Sequence, residues 1–267
     1  MSPFGPGLLV STEGGVATVT LSHPERRNAM TLGMWRALPG VLAGLTADPG
    51  VRVLVLTGEG GVFSAGADIS ELSAPGGVRA AQQAAVAAEE ALAAFPKPAL
   101  AAVRGSCVGG GCQLAVACDL RFAAEGARFG VTPSRLGLVY PPAATRRLAT
   151  LAGSAMAKYL LFSGDLVDAG RALRAGLVDE VLPDDELDAR VAGFARALTE
   201  RSLLTQYAAK ELAGPRPPAP ERIAFWQRAA AEPAAAAEAA EGTAAFLERR
   251  PPRFTWAPGT GPDLGSA

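Results

Sequence analysis

Two apolar runs, Leu8-Leu9-Val10-Ser11 and Val16-Ala17-Thr18-Val19-Thr20-Leu21, flank Glu13-Gly14-Gly15 and predict a β-hairpin. Thr31 is placed to cap a helix running towards Ala47, with Pro39-Gly40 expected to kink or break it. Residues 51–58, a buried-looking run, predict a strand, and the alanine-rich stretch 78–94 predicts a helix stopped by Pro96-Lys97-Pro98. Residues 99–104 then predict a strand, 110–117 a helix and 120–123 another strand. Strands alternating with helices imply parallel crossovers in an α/β core.

From about residue 154 the pattern turns helical. The expected helices are 154–162, 168–175, 184–200, 202–213, 221–231 and 234–249. Pro215-Arg216-Pro217-Pro218-Ala219-Pro220 predicts a stiff spacer, Pro251-Pro252 ends the last helix, and 259–267 is expected to fray. No tandem repeat of solenoid period is present.

Composition narrows the function classes. The 267 residues suit one large domain, or one with an appendage, and 49% apolar residues supply a sizeable core. A formal net charge of −1 gives no electrostatic case for nucleic acid or an anionic membrane. No apolar stretch approaches the ~20 residues of a membrane span, and the first residues carry neither a basic nor a long apolar segment that would direct secretion. Cys107, Cys112 and Cys118 are odd in number and crowded together, matching neither a disulfide framework nor a zinc pattern. Reduced structural cysteines and a cytoplasmic location are expected.

The most informative run is Gly109-Gly110-Gly111-Cys112-Gln113, between the apolar strand 99–103 and a helix. Glycine backbone at a helix start leaves N–H groups aimed at whatever docks there, and such donors suit a developing oxyanion. A second segment, Val62-Phe63-Ser64-Ala65-Gly66-Ala67-Asp68-Ile69, follows the strand at 51–56 and bends at Gly66, so that Ala67 can present a second N–H.

With Val103-Arg104-Gly105, the run 109–120 (GGGCQLAVACDL) and residues 245–250 (AFLERR), these segments resemble the enoyl-CoA hydratase/isomerase (crotonase) superfamily over nearly the whole chain. The resemblance implies a spiral of ββα turns over 1–200 and a helical trimerisation region over 201–267. It also implies a homotrimer, or a hexamer of paired trimers. It makes Ala67 and Gly110 the oxyanion-hole donors for an acyl-CoA thioester, with coenzyme A part of the substrate and no separate cofactor or metal. Ala65, Ala67, Asp68 and Ile69 match the adenine-binding loop, and Arg27, in Pro24-Glu25-Arg26-Arg27-Asn28-Ala29, is the phosphate candidate. Phe246 and Arg249 match positions that reach coenzyme A from a neighbouring subunit.

The chain departs from ordinary hydratases at their two glutamates. The first position holds Gln113; the second, counted from Phe129-Gly130, holds Pro133. Neither moves a proton at neutral pH, and no carboxylate lies between Phe129 and Thr150. Residues 131–140 (VTPSRLGLVY) resemble methylmalonyl-CoA decarboxylase-like members, in which a tyrosine at the Tyr140 position meets the substrate carboxylate. Those members carry histidine where this chain has Ala67 and glutamate where it has Gln113. Glu71 is the nearest alternative carboxylate by sequence. Three readings follow: a hydratase/isomerase-type enzyme, a decarboxylase-like lyase, and a catalytically silent acyl-CoA-binding subunit.

Overall fold

The computed structural model describes residues 7–72, 76–214 and 217–258. Strands β1 (Leu8–Glu13) and β2 (Val16–Leu21) pair antiparallel, Leu8 opposite Leu21 and Glu13 opposite Val16. Gly14 and Gly15 close this hairpin at φ of 55° and 83°, left-handed values open to glycine without a Cβ clash.

Helix α1 (Leu32–Ala47) corrects the expectation at Pro39, because it runs through that residue unbroken. Pro39 has no N–H to give the preceding turn, a loss that ordinarily costs about 3 kcal/mol. The same helix buries Met34, Trp35, Leu38, Val41, Leu42 and Leu45. At about 1.5–3 kcal/mol for each large side chain, that face outweighs the missing bond. Thr31 Oγ1 accepts from Met34 N–H at 3.2 Å and supplies the expected cap.

The chain then spirals. Strand β4 (Ala99–Val103), strand β5 (Ser106–Val108) and helix α4 (Gly110–Ala117) form one turn. Strand β6 (Leu120–Ala124), strand β7 (Arg128–Gly130) and helices α5 (Pro133–Leu136) and α6 (Pro142–Ser163) form the next. Strand β3 (Val53–Gly58) begins the turn before them, which continues through helices α2 (Ile69–Leu72) and α3 (Gly77–Ala93). Ser64 stands in for that turn's short strand, bridging Cys107 of β5.

The longer strands build a six-stranded sheet ordered β1-β2-β3-β4-β6-β9, where β9 is Glu180–Leu182. The shorter ones, closed by β8 (Val167–Asp168), build a three-stranded sheet ordered β5-β7-β8. The fold is therefore the expected α/β spiral of ββα turns. Strands of two or three residues carry too little pattern to be read in advance, and β5, β7, β8 and β9 add to the strands expected from the sequence.

The central strands β3, β4 and β6 of the large sheet are buried on both faces, as parallel crossovers require. Leu54, Leu56, Ala101 and Val103 face a core shared with Trp35, Leu92 and Leu114. Val53, Val55, Leu100, Ala102 and Phe122 face Leu187, Val191 and Ala195 of helix α8 (Leu187–Thr199). Helix α6 reaches further back than expected, and Gly153 (φ 76°, ψ 154°) breaks its helical geometry into two pieces. Asp168 caps α7 (Ala169–Arg174) by accepting from Arg171 N–H at 2.7 Å.

Helices α9 (Leu203–Leu212), α10 (Pro220–Ala229) and α11 (Pro233–Glu248) gather a third core of Leu203, Tyr207, Phe225, Trp226, Ala229 and Trp256. The buried Glu238 carboxylate holds the following segment down. It accepts from Ser202 Oγ at 2.6 Å, Thr255 N–H at 2.8 Å and Trp256 N–H at 2.9 Å. The expectations for residues 1–6, 215–216 and 259–267 lie outside the described residues. Among the described residues no helix is long and apolar enough to cross a membrane.

Candidate functional site

The two glycine-containing segments meet because their backbones pack too closely for side chains. A Cβ on Gly66 would lie 2.9 Å from Val108 O and 3.5 Å from Gly110 N. One on Gly111 would lie 2.7 Å from Ser64 Cβ, and one on Gly110 would lie 2.8 Å from the Trp35 ring. Gly66 and Gly109 also sit at positive φ, 103° and 56°. Glycine is thus required here by contact as well as by conformation.

The bonds around Ala67 orient its N–H. Met30 N–H donates to Gly66 O at 2.7 Å, and Asp68 N–H donates to Met30 O at 2.9 Å. In a parallel bridge the intervening residue, Ala67, turns its own N–H to the opposite edge. That edge faces Gly110, the first residue of α4, whose N–H has no partner within its own helix. Among the described residues no backbone carbonyl accepts from either group. A Cβ on Gly110 would lie 3.8 Å from Ala67 N, and both residues line one pocket, so two free donors adjoin there, the arrangement that can hold an oxygen on which negative charge develops.

That spot opens into a pocket of about 130 Å³ between α1, α3, α4 and the segment before α6. Ala65, Ala67, Ile69, Gly110, Gln113 and Tyr140 all line it, so six of the ten residues singled out from the sequence come together. Pro133 lines it too, and among the described residues no carboxylate does. Gln113 Nε2 and Tyr140 Oη are buried without a hydrogen-bond partner, and so is Trp35 Nε1. Burial pushes the Tyr140 phenol well above its ordinary value of 10, so at neutral pH it is a proton donor.

The other four residues stand differently. Asp68 Oδ1 accepts from Ser70 N–H at 2.9 Å and from Ser70 Oγ at 2.7 Å, bonds that hold its carboxyl below the ordinary value. Arg27 is exposed at φ 51°, and its carbonyl accepts Ala65 N–H at 2.9 Å, tying its loop to the pocket wall. That loop is fixed from within by buried Asn28, whose Nδ2 donates to Glu59 O at 2.8 Å and Val62 O at 2.6 Å. Phe246 and Arg249 lie at the end of α11, exposed, and outside the pocket wall of their own chain. Glu71, the alternative carboxylate by sequence, is occupied elsewhere, its Oε2 accepting from Leu32 N–H at the start of α1.

One further residue, behind the pocket wall, has no mark in the sequence motifs. Glu89 of α3 is 1% exposed, and its Oε1 has no partner. Burial pushes its carboxyl up to about 8, against the opposing charge of Arg147 and with a smaller push from Glu90. A carboxylate one helical turn beyond Ala85, on the stripe of Val78, Gln82 and Ala85 that lines the pocket, is the available signal.

Cys107, Cys112 and Cys118 are unpaired and buried, in keeping with structural thiols. Burial raises both Cys107 and Cys118, the latter to about 12, which leaves them poor nucleophiles.

Known proteins share both this fold and this sequence. The family model described as enoyl-CoA hydratase/isomerase matches residues 11–257. The 2,3-dehydroadipyl-CoA hydratase of Escherichia coli K12 is 34% identical over 254 residues, covering 92% of this chain and 98% of that protein. The crotonyl-CoA hydratase of Syntrophomonas wolfei is 31% identical over 252 residues, covering 92% and 97%. A crystal structure of an enoyl-CoA hydratase from Bacillus anthracis superposes with a TM-score of 0.86 at 29% identity, covering 93% of this chain and 98% of that one. Fold, glycine contacts and sequence agree, and the chain belongs to the enoyl-CoA hydratase/isomerase family.

Proposed function

We propose that this protein is an enzyme acting on a small acyl-CoA thioester, with the Ala67 and Gly110 N–H groups as its oxyanion hole. The observation that carries the reading is the convergence of those two unpartnered donors on one apolar pocket. A thioester oxygen gains charge when the adjacent carbon becomes an enolate, and each such donor is worth about 3–4 kcal/mol of barrier. The pocket's size favours a short acyl chain. Coenzyme A lies along the backbone of Ala65, Asp68 and Ile69, with Arg27 at its phosphates and no separate cofactor. Phe246 and Arg249 serve a neighbouring subunit's coenzyme A in a homotrimer or hexamer, which explains why Phe246 is 83% exposed in one chain.

A specific observation favours decarboxylation over hydration. The acyl end of the pocket offers two unpartnered donors, Gln113 Nε2 and Tyr140 Oη, and among the described residues no carboxylate. Donors of that kind orient an acceptor such as a substrate carboxylate. Loss of CO₂ leaves its bonding electrons behind as the enolate, so no base is needed to form it. Orientation and an oxyanion hole suffice.

The test is incubation with crotonyl-CoA and with methylmalonyl-CoA, with products followed by mass spectrometry. Release of CO₂ from methylmalonyl-CoA is the expected result. Hydration of crotonyl-CoA without any CO₂ release refutes decarboxylation. Tight binding of both thioesters with turnover of neither establishes a silent acyl-CoA-binding subunit instead.

A further inference from the structure

We propose that Glu89 is the proton-holding group of this pocket: a buried, unpartnered carboxyl that resupplies, through Tyr140 Oη, the proton that quenches the substrate enolate. The inference rests on the acyl-CoA enolate reading above and adds to it the group that the missing glutamates leave unassigned.

Glu89 lies behind the pocket wall, on the face of α3 that lines it. Along α3, Val78, Ala81, Gln82 and Ala85 line the pocket, and Glu89 lies one turn beyond Ala85 on that stripe. Helix α6 is fastened to α3 at this level, because Arg147 Nη2 donates to Glu90 Oε1 at 2.8 Å. Tyr140 lies seven residues before Arg147, just ahead of α6, and its half-buried ring, with a buried hydroxyl, feels the Glu89 carboxyl electrostatically.

Glu89 Oε1, Tyr140 Oη and Gln113 Nε2 are all buried and unpartnered, as is Arg147 Nη1. Each of these four open polar atoms carries a desolvation cost without a compensating bond. The ionisable groups around Glu89 and Tyr140 are Glu90 on α3, Arg147 on α6, Cys112 on α4 and Cys107 on β5. On α1, which also packs against α3, the ionisable Arg36 is exposed.

The chemistry balances without an outside reagent. The bond from Cα to the carboxylate breaks, CO₂ leaves, and its electron pair becomes the enolate. The Tyr140 proton passes to Cα. The Glu89 carboxyl gives its proton to the phenolate across a bridging water, because Tyr140 Oη has no direct hydrogen-bond partner. A solvent proton then restores Glu89. Tyr140 is the catalytic residue of this step, and Glu89, acting through it, is a positioning residue that also stores the proton.

The experiment measures kcat and KM of the full-length enzyme with methylmalonyl-CoA across pH 6–10, beside Glu89→Gln and Glu89→Asp. Deuterium exchange at Cα of butyryl-CoA is followed in parallel. Wild-type kcat is expected to fall on the alkaline side as Glu89 loses its proton. Glu89→Gln is expected to lose about 10²-fold in kcat and to lose that alkaline limb, with KM within about twofold. Glu89→Asp should recover part of the rate. A Glu89→Gln enzyme with wild-type kcat and pH profile overturns the Glu89 assignment and leaves the acyl-CoA reading intact. A change in KM alone overturns the assignment in the same way. A wild-type enzyme that neither decarboxylates nor exchanges overturns both readings, and thermal melts of each variant separate these outcomes from misfolding.

Discussion

Replacing Glu89 with glutamine should stabilise the protein increasingly as pH rises. In the unfolded chain this carboxyl loses its proton near its ordinary value of 4.5, whereas burial holds it protonated in the folded state up to about 8. Between those values the native state binds a proton that the unfolded state has released. Wild-type stability therefore falls as pH climbs from 4.5 to 8 and levels off above it. Each pH unit in the window is worth about 1.4 kcal/mol, so the whole effect approaches about 5 kcal/mol. At 1% exposure solvent screening takes little from that figure. Glutamine has no proton to lose. Near pH 5 the two proteins should differ by no more than about 1 kcal/mol, the scale of one altered hydrogen bond. By pH 8.5 the variant should lead by about 3–5 kcal/mol. Urea denaturation at half-unit pH steps measures the difference directly, provided the slope with urea is the same for both proteins. A stability difference that stays flat from pH 5 to 8.5 would show that Glu89 ionises normally and would refute the reasoning.

Four further outcomes are expected. Gly111→Ala pushes a methyl against Ser64 Cβ and Ser64 O, at 2.7 and 2.8 Å, and should cost about 1–3 kcal/mol in a denaturant melt. Gly126→Ala, with nothing within 4 Å, should stay within about 0.5 kcal/mol. Glu238→Ala strips the acceptor from Ser202 Oγ, Thr255 N–H and Trp256 N–H. It should cost about 2–4 kcal/mol and expose the chain after α11 to limited proteolysis. Tyr140→Phe removes a buried hydroxyl that has no partner, so the melting temperature should hold or rise while decarboxylation falls, read by calorimetry and CO₂ release on the same sample.

Where the sequence is legible, a local physical demand lies behind the residue. Gly14-Gly15 reads as a turn because it adopts positive φ, and FSAGADI with GGGCQ reads as a site because two backbones approach within contact distance at Gly66 and Gly111. These positions admit few alternatives, so the pattern carries the geometry. Pro39 misleads because the rule it breaks is local, while the face that overrides it, Met34 to Leu45, gains its stability only by packing. The helical expectation at 154 misses the first half of α6, which starts at Pro142, a helix-start position where proline is well tolerated. Glu89 is hidden for a different reason. Glu89-Glu90 in an alanine-rich helix reads as a solvated pair, and Glu90, half-exposed beside Arg147, fits that reading. Only the packing of α6 across α3 puts one of the two glutamates inside.

The distribution of unsatisfied polar atoms bears on whether the pocket performs chemistry or only binds. Seven buried side-chain atoms lack a partner among the described residues, and Trp35 Nε1, Gln113 Nε2, Tyr140 Oη and Glu89 Oε1 lie in the pocket wall or one turn behind it. Each such atom costs about 1–3 kcal/mol, and apolar replacements of similar shape would remove that cost. A subunit that merely held an acyl-CoA would use the Ala67 and Gly110 N–H groups and could line the acyl end with apolar side chains. It would gain stability by doing so. On the proposed reading, a phenol in the pocket wall and a carboxyl group one turn behind it, both protonated at neutral pH, serve a substrate whose charge changes while it is bound. Their retention at that cost therefore argues for proton transfer in this pocket, by a route that uses neither position where ordinary hydratases keep their glutamates.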